Sequence, residues 1–222
     1  MLKSRFVAFL YRIFAFGVAV SGLFTGSGFG YKWAKIFFYS QLSNMLICGM
    51  LFYLAVRTGI DLLIKGARGS ACYSPRLQMA FTVMIIFTFL VFWGLCAPFG
   101  PAELKVWTYG SLTVHAFTPA LAVGNYVLFC EPGHLKKRDI FLCLLIPICY
   151  TLLVAALGLG GTVFYVLDGV KYYSPYPFMD FGGHTIFTMC FLVITSVLFC
   201  ATAAGFYYAD VNSRLSKNSY NQ

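Results

Sequence analysis

The sequence predicts an all-α fold, a polytopic bundle of six helices crossing a lipid bilayer with both termini on the cytoplasmic side. Three observations predict it. Of 222 residues, 60% are apolar and only 10% are charged, against roughly 25% charged in a soluble domain. Six apolar runs reach the length of about 20 residues that a helix needs to cross a hydrocarbon core. The 16 Lys and Arg, which outweigh 7 Asp and Glu to give +9, fall in short clusters between those runs. A strong positive charge would suggest nucleic acid in a soluble chain, but here it marks membrane orientation and no nucleic-acid partner is expected.

The runs are Phe6 to Phe24, Ala34 to Val56, Leu77 to Pro98, Leu104 to Phe129, Asp139 to Gly160 and Thr185 to Ala209. They are too long for the strands of a membrane barrel, which alternate over about 10 residues. Helices remain, because an unpaired backbone cannot face lipid. The first run lacks the small-residue cleavage site of a signal peptide and counts as a span. Short loops join the six into one integral membrane domain over residues 1–222, with no internal repeat.

With the N-terminus inside, the inner side receives Lys3, Arg5, Arg12, Arg57, Lys65, Arg68, Arg76, Lys136, Lys137, Arg138, Arg214 and Lys217. The outer side keeps Lys32, Lys35, Lys105 and Lys171. That bias places both termini inside. The segment from Arg57 to Arg76 and the run from His134 to Asp139 read as solvated charge facing lipid headgroups. The cysteines give no zinc spacing and none falls in an outer loop, so neither a metal site nor a disulfide framework is expected.

Function is sought where polar groups are buried in the membrane. His115 reads as the one ionisable side chain deep in a run, roughly 16 Å below the outer end of the fourth helix at about 1.5 Å per residue. Thr108, Ser111, His115, Thr118, Ala122 and Asn125 step by three or four residues and form one polar stripe. Pro119 removes the helical bond to the carbonyl of His115. In the second run, Ser40, Ser43 and Asn44 share a face, with Ser40 about 9 Å and Asn44 about 15 Å below the outer end at the same rise. The two polar faces therefore sit at matched depth.

A hydroxyl beside an imidazole is the minimum for nucleophilic acyl transfer. Gln41, Asn44 and Thr118 are the candidate donors to an oxyanion. The outer segment from Lys171 to His184 carries two prolines, several aromatics and Gly182-Gly183, and reads as a structured cap. Within it Tyr176, Asp180 and His184 are candidate substrate-orienting residues. Each of these readings has a structural alternative, in which the same hydroxyls and imidazole simply pack and bond between helices.

Three segments together resemble a known family: Tyr39-Ser40-Gln41-Leu42-Ser43-Asn44, His115 followed by Pro119, and Tyr176-Pro177-Phe178-Met179-Asp180. The chain is similar to the androgen-induced protein and androgen-dependent TFPI-regulating protein family and its bacterial six-helix relatives. The resemblance implies an intramembrane hydrolase of fatty acid esters of hydroxy fatty acids, without cofactor. Its histidine matches His115, and its threonine nucleophile falls where this chain has Ser40, or Ser43 in another register. The leading expectation is thus a membrane hydrolase of lipid esters with Ser40 as nucleophile, in a bacterial plasma membrane or in a eukaryotic endoplasmic reticulum or plasma membrane. The rivals are a membrane protein that binds or carries a lipid or small ligand, and an intramembrane protease.

Overall fold

A computed structural model describes residues 1–26, 36–99, 106–167, 169–179 and 185–220. It contains six helices long and apolar enough to span a membrane. Helix α1 is Arg5–Gly26 and α2 is Tyr39–Lys65. Helix α3 runs through Pro75–Val91, a π-helical turn at Phe92–Cys96 and Ala97–Phe99. Helix α4 is similarly composite: Tyr109–Leu112, a π-helical turn at Thr113–Phe117 and Thr118–Phe129. Helix α5 is Lys137–Leu142 and Leu145–Leu159, and α6 is Thr185–Tyr220.

The surface of this bundle is inverted relative to a water-soluble one. Phe14, Phe52, Val127, Leu152, Ile186 and Val193 all point outward at more than half exposure, while Gln78, Thr82, Asn44 and Asn125 are buried. Large apolar side chains on the exterior suit an apolar surrounding.

Local chemistry accounts for the helix ends. Helix α2 runs beyond the expected stop at Val56 because Asp61 and Lys65 form an i,i+4 pair at 3.0 Å and a lysine suits the negative end of the helix dipole. It ends at Gly66, whose φ of +76° is accessible to glycine at little cost. The expected loop from Arg57 to Arg76 is therefore helical as far as Lys65. The described part of α2 begins at Tyr39 and that of α4 at Tyr109, later than the expected Ala34 and Leu104. Hydropathy cannot mark a start when the apolar run continues through a turn; Ala34 and Leu104 themselves lie outside the described residues. Thr108 caps α4 by accepting from the amide of Ser111 at 3.3 Å. Helix α5 is broken at Cys143–Leu144, because Pro147 has no N–H for the carbonyl of Cys143, and Leu144 bonds instead to Phe141 at 3.0 Å.

One end of the bundle gathers the N-terminus, the segment between α2 and α3, and the segment between α4 and α5. The amide of Leu2 donates to Leu128 and that of Arg5 to Ala67, each at 2.8 Å. The carboxylate of Asp210 on α6 accepts from the amides of Gly133 and Leu135 at 2.8 and 3.2 Å. Asp139, read as solvated charge, is instead buried, accepting from the Lys136 amide at 2.7 Å and pairing with Arg76 at 3.2 Å. A carboxylate in the first turn of α5 is favoured by the dipole.

The opposite end is covered by a β-hairpin, β1 Tyr165–Leu167 with β2 Val170–Tyr172, antiparallel with Tyr165 opposite Tyr172. A 3-10 turn at Pro177–Met179 follows. Phe178 stacks on Phe191 of α6 at 4.0 Å, and Tyr176 meets Phe38 edge-on at 5.3 Å. The hairpin was not anticipated; strands of three residues are too short to show alternation.

Candidate functional site

The two π-helical turns meet at His115. Its imidazole lies flat on the ring of Phe92, with centroids 3.6 Å apart and planes 6° from parallel. The indole N–H of Trp93 donates to the carbonyl of His115 at 3.0 Å. Pro119 explains why that carbonyl is available, since it offers no N–H to His115 four residues back, nor to Val114 five residues back across a π turn. The carbonyl of Val114 is met from another helix, by the carboxamide N–H of Asn44 at 3.2 Å. Both carbonyls released by the proline thus find donors on neighbouring helices, as buried backbone must.

The imidazole Nδ1 lies 2.9 Å from the carbonyl of Ser111. A carbonyl only accepts, so Nδ1 carries the proton and Nε2 is left as the basic nitrogen. The hydroxyl of Ser111 lies 3.4 Å from the same Nδ1.

His115 lines a cavity of about 390 Å³ together with Ser40, Gln41, Thr88, Cys96 and Tyr176, the remaining wall being largely aromatic. Ser40 belongs to the first turn of α2, where the amides of Tyr39 and Ser40 have no helical acceptor. Tyr176, which also lines the cavity, packs on Phe38, the residue just before them, at 5.3 Å. Burial, the largest influence, pushes the Tyr176 phenol well above its ordinary range, so it stays a neutral group able to donate as well as accept.

The two candidate serines part company here. Ser43 is buried, donating to the carbonyl of Ser40 at 3.1 Å and sharing a 2.8 Å bond with the Thr88 hydroxyl. It lines a separate apolar groove between α2, α3 and α5, with Leu46, Met84 and Ile146. Ser40 lines the cavity of His115, although no hydrogen bond joins the two among the described residues.

The candidate oxyanion donors separate as well. Gln41 lines the cavity, with its Oε1 buried and unpartnered. Asn44 does not line it; its N–H groups are held by the carbonyls of Ser40 at 2.7 Å and Val114. Thr118 is buried off the cavity with its hydroxyl unpartnered. Asp180 and His184 lie outside the described residues. No three His, Cys, Asp or Glu side chains gather to hold a metal among the described residues.

A second buried polar cluster occupies the other end of the bundle and corrects the expectation that His115 is the one ionisable group deep in a run. Arg12 of α1, read as inner-side charge, is fully buried. Its Nε donates to Asn125 Oδ1 at 2.9 Å and its Nη2 to the carbonyl of Ala71 at 2.8 Å, while Nη1 donates to the Thr58 hydroxyl. The rings of Tyr73 and Phe129 lie 5.7 and 5.5 Å from the guanidinium carbon. Asn125 in turn donates to Gln78 Oε1 at 2.7 Å, and Gln78 to the carbonyl of Tyr73. The lower end of the polar stripe on α4 therefore serves Arg12 rather than His115. A sequence signal existed: Ala8, Arg12, Ala15, Ala19 and Leu23 step along one face, and all are buried.

The described residues thus define a protein with six helices long and apolar enough to span a membrane, enclosing a largely aromatic cavity with a few polar lining residues. Comparison with protein-family profiles, with curated proteins and with solved structures returns no match.

Proposed function

We propose that the protein is an intramembrane hydrolase of lipid esters, with Ser40 as nucleophile and His115 as base. The observation that carries this reading is the shared cavity, into which a helix-terminal serine and an imidazole with a basic Nε2 both open. In the reaction, His115 Nε2 takes the Ser40 proton as Oγ attacks the ester carbonyl, then returns it to the departing alkoxide. The negative charge developing on the carbonyl oxygen forms beside the positive end of α2. Water next cleaves the acyl-serine. The apolar wall suits acyl chains. Ser40 and His115 must close to roughly 2.6–3.2 Å for proton transfer, a tightening that resting sites commonly undergo on binding substrate. We further propose that both termini face the cytoplasm, with the cavity in the outer half of a bacterial plasma membrane or, in a eukaryote, of the endoplasmic reticulum or plasma membrane. The resemblance to the hydroxy-fatty-acid ester hydrolases points to the same substrate class.

The test uses purified protein, a fluorophosphonate probe and fatty acid release from a lipid ester. Wild-type protein is expected to be labelled and to turn over, and Ser40→Ala and His115→Ala to lose both. Labelling that survives the combined Ser40→Ala and Ser43→Ala changes overturns the assignment. A second reading, a binder or carrier of a lipid or small ligand, is favoured by the missing Ser40–His115 bond and the largely aromatic wall. Saturable lipid binding without release of fatty acid selects it.

A further inference from the structure

A second cavity, of about 640 Å³, lies between α3 and α5 at the end of the bundle that carries the N-terminus. Its lining divides into two chemistries. Ser74, Arg76 and His134, from the start of α3 and the segment before α5, are polar, while Leu77, Phe81, Leu142, Leu145 and Ile146, deeper along the two helices, are apolar. Arg76 meets Asp139 at 3.2 Å and the carbonyl of His134 at 3.5 Å, both through Nε. The rest of its guanidinium fork carries further N–H groups. His134, Lys136, Lys137 and Arg138 are exposed, and no ion pair engages the three cations among the described residues. The nearby acids are engaged: Asp139 accepts from the Lys136 amide and Arg76, and Asp210 from the amides of Gly133 and Leu135. With Glu131 as the other carboxylate of that segment, the mouth is basic on balance.

The apolar part continues along α5. Leu145 and Ile146 also line the groove that holds Ser43 and reaches Tyr39, Tyr150 and Leu153. From Leu142 to Leu153 the two stretches follow α5 for about 16 Å, at about 1.5 Å per residue. That is roughly half of a hydrocarbon core about 30 Å thick, the depth of one leaflet.

We propose that this groove holds an acyl chain of an anionic phospholipid, with the headgroup phosphate on Arg76 and His134. Basic side chains at a membrane surface attract anionic lipid, and a planar guanidinium suits phosphate oxygens. Ser74 makes no side-chain bond to cap α3, which leaves its hydroxyl for the same phosphate at the positive end of that helix. The far end of the groove reaches Tyr39 and Tyr150, which pack edge-on at 5.0 Å and line the His115 cavity as well. The bound chain therefore backs the aromatic wall of that cavity. The lipid is a ligand here and undergoes no reaction, so the site stands apart from the hydrolase reading.

The experiment titrates the full-length protein in detergent with dioleoyl phosphatidylglycerol or dioleoyl phosphatidylcholine and counts lipid adducts by native mass spectrometry. The protein is expected to take up phosphatidylglycerol saturably, at least about tenfold more tightly than phosphatidylcholine. Dihexanoyl phosphatidylglycerol, the same headgroup on short tails, should compete at least about a hundredfold more weakly, because the groove acts through buried methylenes. The double variant Arg76→Gln/Asp139→Asn removes the cation and its paired carboxylate together, and should bring the two dioleoyl lipids within about threefold of each other. Leu142→Trp fills the groove and leaves the mouth intact; it should weaken phosphatidylglycerol binding by about tenfold.

Equal affinity for the two headgroups, or a preference that survives Arg76→Gln/Asp139→Asn, overturns the proposal. So does undiminished affinity in Leu142→Trp, the variant that decides the matter if the double substitution does not fold. Full-strength competition by the dihexanoyl lipid marks a site for phosphate alone and overturns it too. Ser40→Ala is expected to bind both lipids as the unaltered protein does, which separates this result from the fate of the hydrolase reading.

Discussion

His115 is held at its ring and at its backbone by two consecutive residues of α3: Phe92 stacks on the imidazole at 3.6 Å, and Trp93 bonds the backbone carbonyl at 3.0 Å. A regular α-helix sets successive side chains about 100° apart, and the widened π turn at Phe92–Cys96 lets both reach the same partner. Trp93→Phe removes the donor while keeping an aromatic ring. The loss should lower stability by about 1 kcal/mol, the scale of polar bonds between membrane helices, read as a fall in the denaturant midpoint of the detergent-solubilised protein. Phe92→Leu should leave that midpoint closer to wild type and reduce hydrolysis by about tenfold, since positioning of a base contributes at least that much.

Gly22 of α1 packs closely on Thr113 of α4. A Cβ there would lie 2.6 Å from the Thr113 methyl, inside van der Waals contact. Gly22→Ala is therefore expected to destabilise by about 1–3 kcal/mol, the usual penalty for overpacking. Adding Thr113→Ser removes the offending methyl and keeps the hydroxyl that donates to Tyr109 at 2.7 Å. Unfolding midpoints of both single variants and the double should show recovery in the double.

Arg12→Met deletes the donors to Asn125, Thr58 and Ala71 together. Leaving three buried neutral acceptors unpaired is expected to cost about 3–5 kcal/mol, at about 1–3 kcal/mol for each unsatisfied group. The exposed Lys137→Ala should leave the unfolding midpoint unchanged. Arg12→Lys should fall between, because one ammonium cannot reproduce the planar fork.

Ser43→Ala removes a hydroxyl that is engaged by Thr88 and the Ser40 carbonyl and does not itself line the cavity. Hydrolysis is expected to stay within about threefold of wild type, whereas Ser40→Ala should lose at least about a thousandfold, as nucleophile deletions do. Tyr176→Phe, which removes a neutral phenol hydroxyl from the cavity wall, should lower turnover by about ten- to a hundredfold with KM little changed. Steady-state kinetics on one lipid ester separates the three.

The length of the apolar runs made the six long helices readable from sequence, and the rise per residue set Ser40 and His115 at similar depth, where both line one cavity. Neither distinguished Ser40 from Ser43, which requires the rotation of α2 against α3 and α5. The place of Asn44 and Thr118 off the cavity depends on helix rotation in the same way. Arg12 escaped because a basic residue within two turns of a span's end looks the same whether it reaches toward headgroups or is enclosed by other helices. The π-helical turns leave little trace beyond Pro119, since a widened turn changes bonding partners rather than composition.

The enclosed Arg12 also orders the protein's biogenesis. Its acceptors lie 46, 59 and 113 residues further along the chain, at Thr58, Ala71 and Asn125. A nascent α1 alone in lipid has nothing to satisfy the guanidinium and must let it reach back toward the aqueous boundary. The full set of acceptors exists only once the ribosome has delivered the fourth long helix. Translation arrested between α2 and α4 should therefore leave α1 loosely held and available to quality-control proteases.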